Sequence, residues 1–176
     1  MPDRIVPILQ EWQTFYVIAG SAAAALTGLM FVVIALRPGG DPQEQEGGVR
    51  AFASPIVFHF CGVLLLASLL TVPRLSAPAL AAWLGGAGAA GLAYTAWVAV
   101  QARQQRHYAP VASDWLWHVV MPAAAYAGLA AAGVVALRSP EGALDLVAGA
   151  VLALLFTGIH NAWDSAVWIS SSRAGT

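Results

Sequence analysis

Residues 15–36, FYVIAGSAAAALTGLMFVVIAL, run for 22 positions without a charged side chain. About 20 mostly apolar residues in a helix cross the hydrocarbon of a bilayer, because a helix rises about 1.5 Å per residue and satisfies its own backbone hydrogen bonds where the medium offers none. The stretch is too long for a strand and too uniformly apolar for a helix with one wet face. It closes on RPGGDPQEQEGG, residues 37–48, where Pro, Gly and charge end the pattern.

Working outward, the pattern recurs four times: residues 52–72, closed by PRLSAP; 79–100, closed by QARQQRHYAPVASD; 115–137; and 140–170. The last opens on SPEG, with Ser139 placed to cap, Pro140 at the first helical position and Glu141 in the first turn. The expected fold is therefore all-α: one integral membrane helix bundle of five transmembrane helices, a single domain over residues 1–176. The fifth span is longer than the hydrocarbon is thick and is expected to tilt or project. The opening MPDRIVPILQEWQ is read as a short interfacial segment before an uncleaved first span, with Trp12 as a candidate anchor.

Composition agrees. Of the 176 residues 59% are hydrophobic and 10% charged, against about 25% charged in a soluble domain. A net charge of −1 supplies no basic surface for nucleic acid. Cys61 is the single cysteine, so no intrachain disulfide forms, and its apolar surroundings in sequence suggest a small buried hydrophobe. All eight positive side chains are Arg. Five spans put Arg4, Arg74 and Arg138 on one side and Arg37, Arg50, Arg103, Arg106 and Arg173 on the other, which favours a cytoplasmic C-terminus. Trp97, Trp115, Trp117, Trp163 and Trp168 map near that second interface, with Trp12 and Trp83 near the first. The lipid bilayer is the first partner expected.

Small residues recur every fourth position: Gly20, Ala24 and Gly28 in the first span, Gly85 within a run of Ala and Gly in the third, and Gly128 in the fourth. Such stripes let helix backbones approach closely in lipid, where water exclusion cannot drive packing. They serve contacts within the chain or between subunits. The number of small faces favours a homo-oligomer.

A polar layer interrupts the apolar pattern. The fourth and fifth spans form a hairpin about Pro140, and DWLWH (residues 114–118) and HNAWD (residues 160–164) lie nearly equidistant from it. Each holds a His and an Asp four apart, on one helix face. His118 with Asp114, and His160 and Asn161 with Asp164, are thus expected at one level, and His59 of the second span enters the same level. Pro122 cannot donate to the carbonyl of His118, which frees one more acceptor there. Each residue has a plainer role available: capping for Asp114, headgroup contact for His118, water contact for Asp164, and interhelical hydrogen bonding for His59 and for His160 with Asn161. Ionisable groups inside a membrane usually face a cavity or one another. The layer fits a water-filled pore, a metal site built on His59, His118 and His160, or a structural network; paired histidines also suit haem. Local ligand motifs such as HExxH and CxxC do not occur, and no cofactor is identified.

The stretches EWQTFYVIAGSAAAALTGLMFVVIAL (Glu11 to Leu36) and NAWDSAVWI (Asn161 to Ile169) resemble the first and last spans of an uncharacterised family of small bacterial multi-pass membrane proteins. The resemblance implies a bacterial inner (cell) membrane protein and marks Asn161, Trp163 and Asp164 as part of the pattern. It carries no catalytic signature. The function expected first is a small homo-oligomeric ion channel or permeation protein. The alternative is a non-catalytic assembly or accessory subunit with a membrane-protein partner, and a metal-dependent membrane enzyme comes third.

Overall fold

The computed structural model describes residues 5–35, 54–73, 75–104 and 112–173, with side chains over 6–35, 55–73, 75–104 and 112–167. Among these residues every regular element is helical, and the chain is all-α. Helix α1 spans Ile5–Ala35, α2 Ser54–Leu70, α3 Ala77–Gln104, α4 Ala112–Val135 and α5 Pro140–Arg173. Leu36, Phe52 and Ala53, at the edges of the first two expected spans, lie outside the described residues. So do Arg4, Arg37, Arg50, Arg74 and Arg106, and the side chains of Trp168 and Arg173.

Local signals account for the boundaries. Ser139 caps α5, its Oγ accepting the Gly142 N–H at 3.3 Å, with Pro140 as the first helical residue, as the sequence implies. Ser76 caps α3 in the same manner, its Oγ accepting the Ala79 N–H at 3.4 Å. A helical start ten residues ahead of Phe15 makes the expected interfacial segment part of α1. Pro7 is tolerated there because N–H groups in a first turn have no partner to lose. Trp12 packs on Phe15 and Tyr16, with ring centroids 5.7 and 6.2 Å apart.

Among the described residues three helices, not five, are both long and apolar enough to cross a membrane: Val6–Ala35, Ala112–Val135 and Pro140–Val167. Helix α2 is apolar but has 17 residues, about 25 Å against a hydrocarbon core of about 30 Å. Helix α3 has 28 residues, but its glycines contribute no apolar surface, and its Trp, Tyr and Thr side chains dilute the rest. The expected span 52–72 thus falls short in helical length and 79–100 in apolarity.

The helices pack in the spatial order α3, α4, α5, α2, α1, and α1 also reaches α5. Helix α5 is central: 56% of its apolar window is buried, against 22% for α1. Val147, Val151 and Leu154 of α5 are fully covered, as are Phe60 and Val63 of α2. Cys61 is exposed, contrary to the sequence expectation. The buried face of α2 runs through Ile56, His59, Phe60, Val63, Leu66, Ala67 and Leu70, a spacing of three and four that turns position 61 outward.

Glycine permits the closest approaches. A Cβ on Gly88 of α3 would lie 2.5 Å from the Ala130 backbone nitrogen of α4. One on Gly133 of α4 would lie 2.7 Å from the backbone nitrogen of Gly85. Gly20 sets α1 against Ala67 of α2, 2.9 Å from where its Cβ would be. The Cβ directions of Gly28, Gly85 and Gly128 meet no atom within 4 Å, and Ala24 is exposed. The stripe of α1 is thus divided between an inner and an outer face.

Candidate functional site

The polar layer is built around an irregularity in α4. Residues Leu116–Val120 form one π turn, in which the Met121 N–H reaches back five residues to the Leu116 carbonyl. Pro122 supplies the cause: its ring crowds the carbonyl four residues earlier, and it has no N–H to give. The turn widens by one residue to relieve the crowding. Trp117 O then loses its regular α-helical partner, because Met121 N–H has gone to Leu116, and the next residue, Pro122, has no donor.

Asn161 of α5 supplies the replacement. Its Nδ2 donates to Trp117 O at 3.3 Å, from a side chain 1% exposed. His160 lays its ring on the indole of the same Trp117, centroids 4.0 Å apart and planes 25° from parallel. DWLWH and HNAWD therefore do meet, but through the Trp117 backbone and ring. The His–Asp side chains close on their own helices. His160 Nε2 lies 3.2 Å from Asp164 Oδ2, and His118 Nδ1 donates to the Asp114 carbonyl at 3.2 Å. Asp164 is 59% exposed and His160 33%, so this pair faces outward from the single chain.

His59 makes a separate and deeper contact. It is 2% exposed, and its Nδ1 shares a 2.9 Å hydrogen bond with the Tyr126 hydroxyl of α4. With the ring proton on Nε2, the phenol donates to Nδ1. The Tyr126 ring occupies the space over Gly91 of α3 that a Cβ would fill. Phe58 stacks on Tyr94 at 3.8 Å beside it, joining α2, α3 and α4 in one aromatic cluster. At the mouth of the α3–α4 connection, the Arg103 guanidinium sits 5.4 Å from the Trp115 ring.

The three histidines among the described residues thus have separate partners: Tyr126 for His59, the Asp114 carbonyl for His118, and Asp164 with Trp117 for His160. Among the described residues, no three His, Cys, Asp or Glu side chains converge in a metal-holding group. A cleft of about 320 Å³, lined by Leu9, Gln10, Gln13, Leu70 and Val72 among others, lies at the opposite end of the bundle. Tyr126 and Thr157 belong to the polar interior and are not marked by the sequence pattern, and Trp117, expected only as an interfacial aromatic, contributes its carbonyl and ring. Pro122 was the available signal for Trp117, although it pointed one residue further on, to His118.

The fold defines a class: an all-helical bundle carrying three helices of membrane-crossing length. Compared with known proteins, no family model matches the sequence, no curated protein matches it, and no solved structure matches the fold.

Proposed function

We propose that the protein is an integral membrane protein of the bacterial cell membrane, acting as a non-catalytic assembly or accessory subunit that packs against a membrane-protein partner. In this reading all five helices insert together, α2 and α3 held by their packing against α1, α4 and α5. The observation that carries it is the interhelical pairing of His59 with Tyr126 and of the Asn161 amide nitrogen with the Trp117 carbonyl. Groups spent in this way tie helices together and are not free to bind a permeant ion. The outward Trp83, Trp97 and Trp163 suit interfacial anchors, and the distribution of Arg favours a cytoplasmic C-terminus.

The test is reconstitution. Liposomes carrying the purified protein should pass no more ions than empty vesicles at acid or neutral pH. In gently solubilised native membranes the chain should migrate in a complex heavier than its own oligomer. A cation or proton flux that Asp164→Ala abolishes overturns the assignment.

One observation favours a second reading, a homo-oligomeric channel or permeation protein. The His160–Asp164 pair faces outward, and a carboxylate at a membrane-level surface needs water, a headgroup or a neighbouring subunit. A ring of subunits would place Asp164 on a shared wet axis. Homo-oligomers through the exposed Ala24 and Gly28 of α1 fit either reading.

A further inference from the structure

Four hydroxyls in these helices bond in one way, and the buried Thr157 does not share it. Thr27, Ser68, Thr95 and Ser165 each donate back to the carbonyl four residues earlier, at 2.8, 2.8, 2.9 and 2.9 Å. Thr157 is fully buried in α5, yet its Oγ1 has no partner in the protein. One turn further along the same face, Asn161 is 1% exposed, and its Oδ1 has none either. The Asn161 amide cannot be turned round to cure this. Its nitrogen is held by the Trp117 carbonyl, and a flip would set oxygen against oxygen. Two adjacent buried oxygens without partners carry a desolvation cost that native interiors rarely leave in place.

We propose that Thr157 and Asn161 hold one buried water molecule between them, at the α4–α5 contact beside the π turn. Residues four apart on a helix have Cβ atoms about 5–6 Å apart, a span that one water bridges. The water donates to Asn161 Oδ1 and accepts the Thr157 hydroxyl hydrogen, which satisfies both groups. Asn161 offers it an acceptor, Oδ1, because Nδ2 is engaged by the Trp117 carbonyl. The site extends the Trp117–Asn161 bond by one link into the core and stands independently of the accessory or channel reading.

A double-mutant cycle on the full-length protein in detergent tests the site. Thr157→Val keeps the shape and removes the hydroxyl; it should lower Tm by about 2–4 °C, the shift for one lost buried hydrogen bond in a chain of this size. Thr157→Ser, which keeps the hydroxyl, should fall nearer to wild type. Thr157→Val combined with Asn161→Ala should lose less than the sum of the two single changes, because either one alone already empties the bridge. A Thr157→Val protein as stable as wild type, or more so, overturns the proposal, as do strictly additive effects. A density map at about 2 Å gives an answer even where Asn161→Ala fails to fold. A peak within hydrogen-bond distance of both oxygens supports the water, and continuous protein or lipid density there overturns it. A Tm that rises in sodium over potassium at equal ionic strength assigns the oxygens to a cation and also overturns it.

Discussion

His59 lies in the interior of the bundle because one hydroxyl, 67 residues away in the chain, meets it. Tyr126→Phe removes that hydroxyl and leaves a buried imidazole nitrogen unpaired, which should cost about 1–3 kcal/mol. Unfolding of the purified variant in detergent measures this, and an unchanged midpoint would show that the bond contributes nothing. Tyr126 in turn needs Gly91, because its ring fills the space over that glycine. Gly91→Ala pushes the ring away and should cost a similar amount, about 1–3 kcal/mol, by overpacking. His59 was legible in the sequence as a polar residue at depth. Tyr126 was not, since a Tyr in an apolar span reads as packing until a partner is seen.

At the scale of the element, the π turn of α4 decides how the two polar motifs meet. Pro122→Ala restores an N–H and removes the ring, so residues 112–120 can close into regular α-helix. Removing one residue's worth of turn rotates the start of α4 by about 100° and carries Trp117 off His160. The near-ultraviolet circular dichroism of the stacked indole should change accordingly. Trp117 O would recover a backbone partner, and Asn161→Ala should then cost less in the Pro122→Ala background than in wild type. Equal costs in both backgrounds would mean that Asn161 does not replace the lost backbone bond. The sequence pointed to Pro122 and to a freed carbonyl. It named His118 because an unbroken helix assigns the loss four residues back. Whether the crowding is relieved by a kink or by a widened turn depends on what packs alongside, here α5 with Asn161 at the right height.

At the scale of the whole molecule, α5 and α2 occupy the middle and α1 lies outside. Gly20→Leu must displace Ala67 and should destabilise the bundle by about 1–3 kcal/mol or more. Gly28→Leu meets open space and should leave the unfolding midpoint of the single chain where it is. If sister subunits use the outer stripe of α1, the same change should halve or otherwise reduce the mass seen by native mass spectrometry. Both glycines look alike in the sequence, eight residues apart on one helix. The sequence by itself determined the all-helical class, the five helical segments, the capped entry of α5 and the facing of DWLWH and HNAWD across the α4–α5 hairpin, because hydropathy, capping and hairpin geometry act over a few residues at a time. Only the tertiary structure decided which face of α1 is buried, and that the Trp117 carbonyl, Tyr126 and Thr157 belong to the polar interior. Those outcomes turn on which surfaces of different helices come into contact, and a side chain's partner across such a contact is not written in the spacing of its own helix.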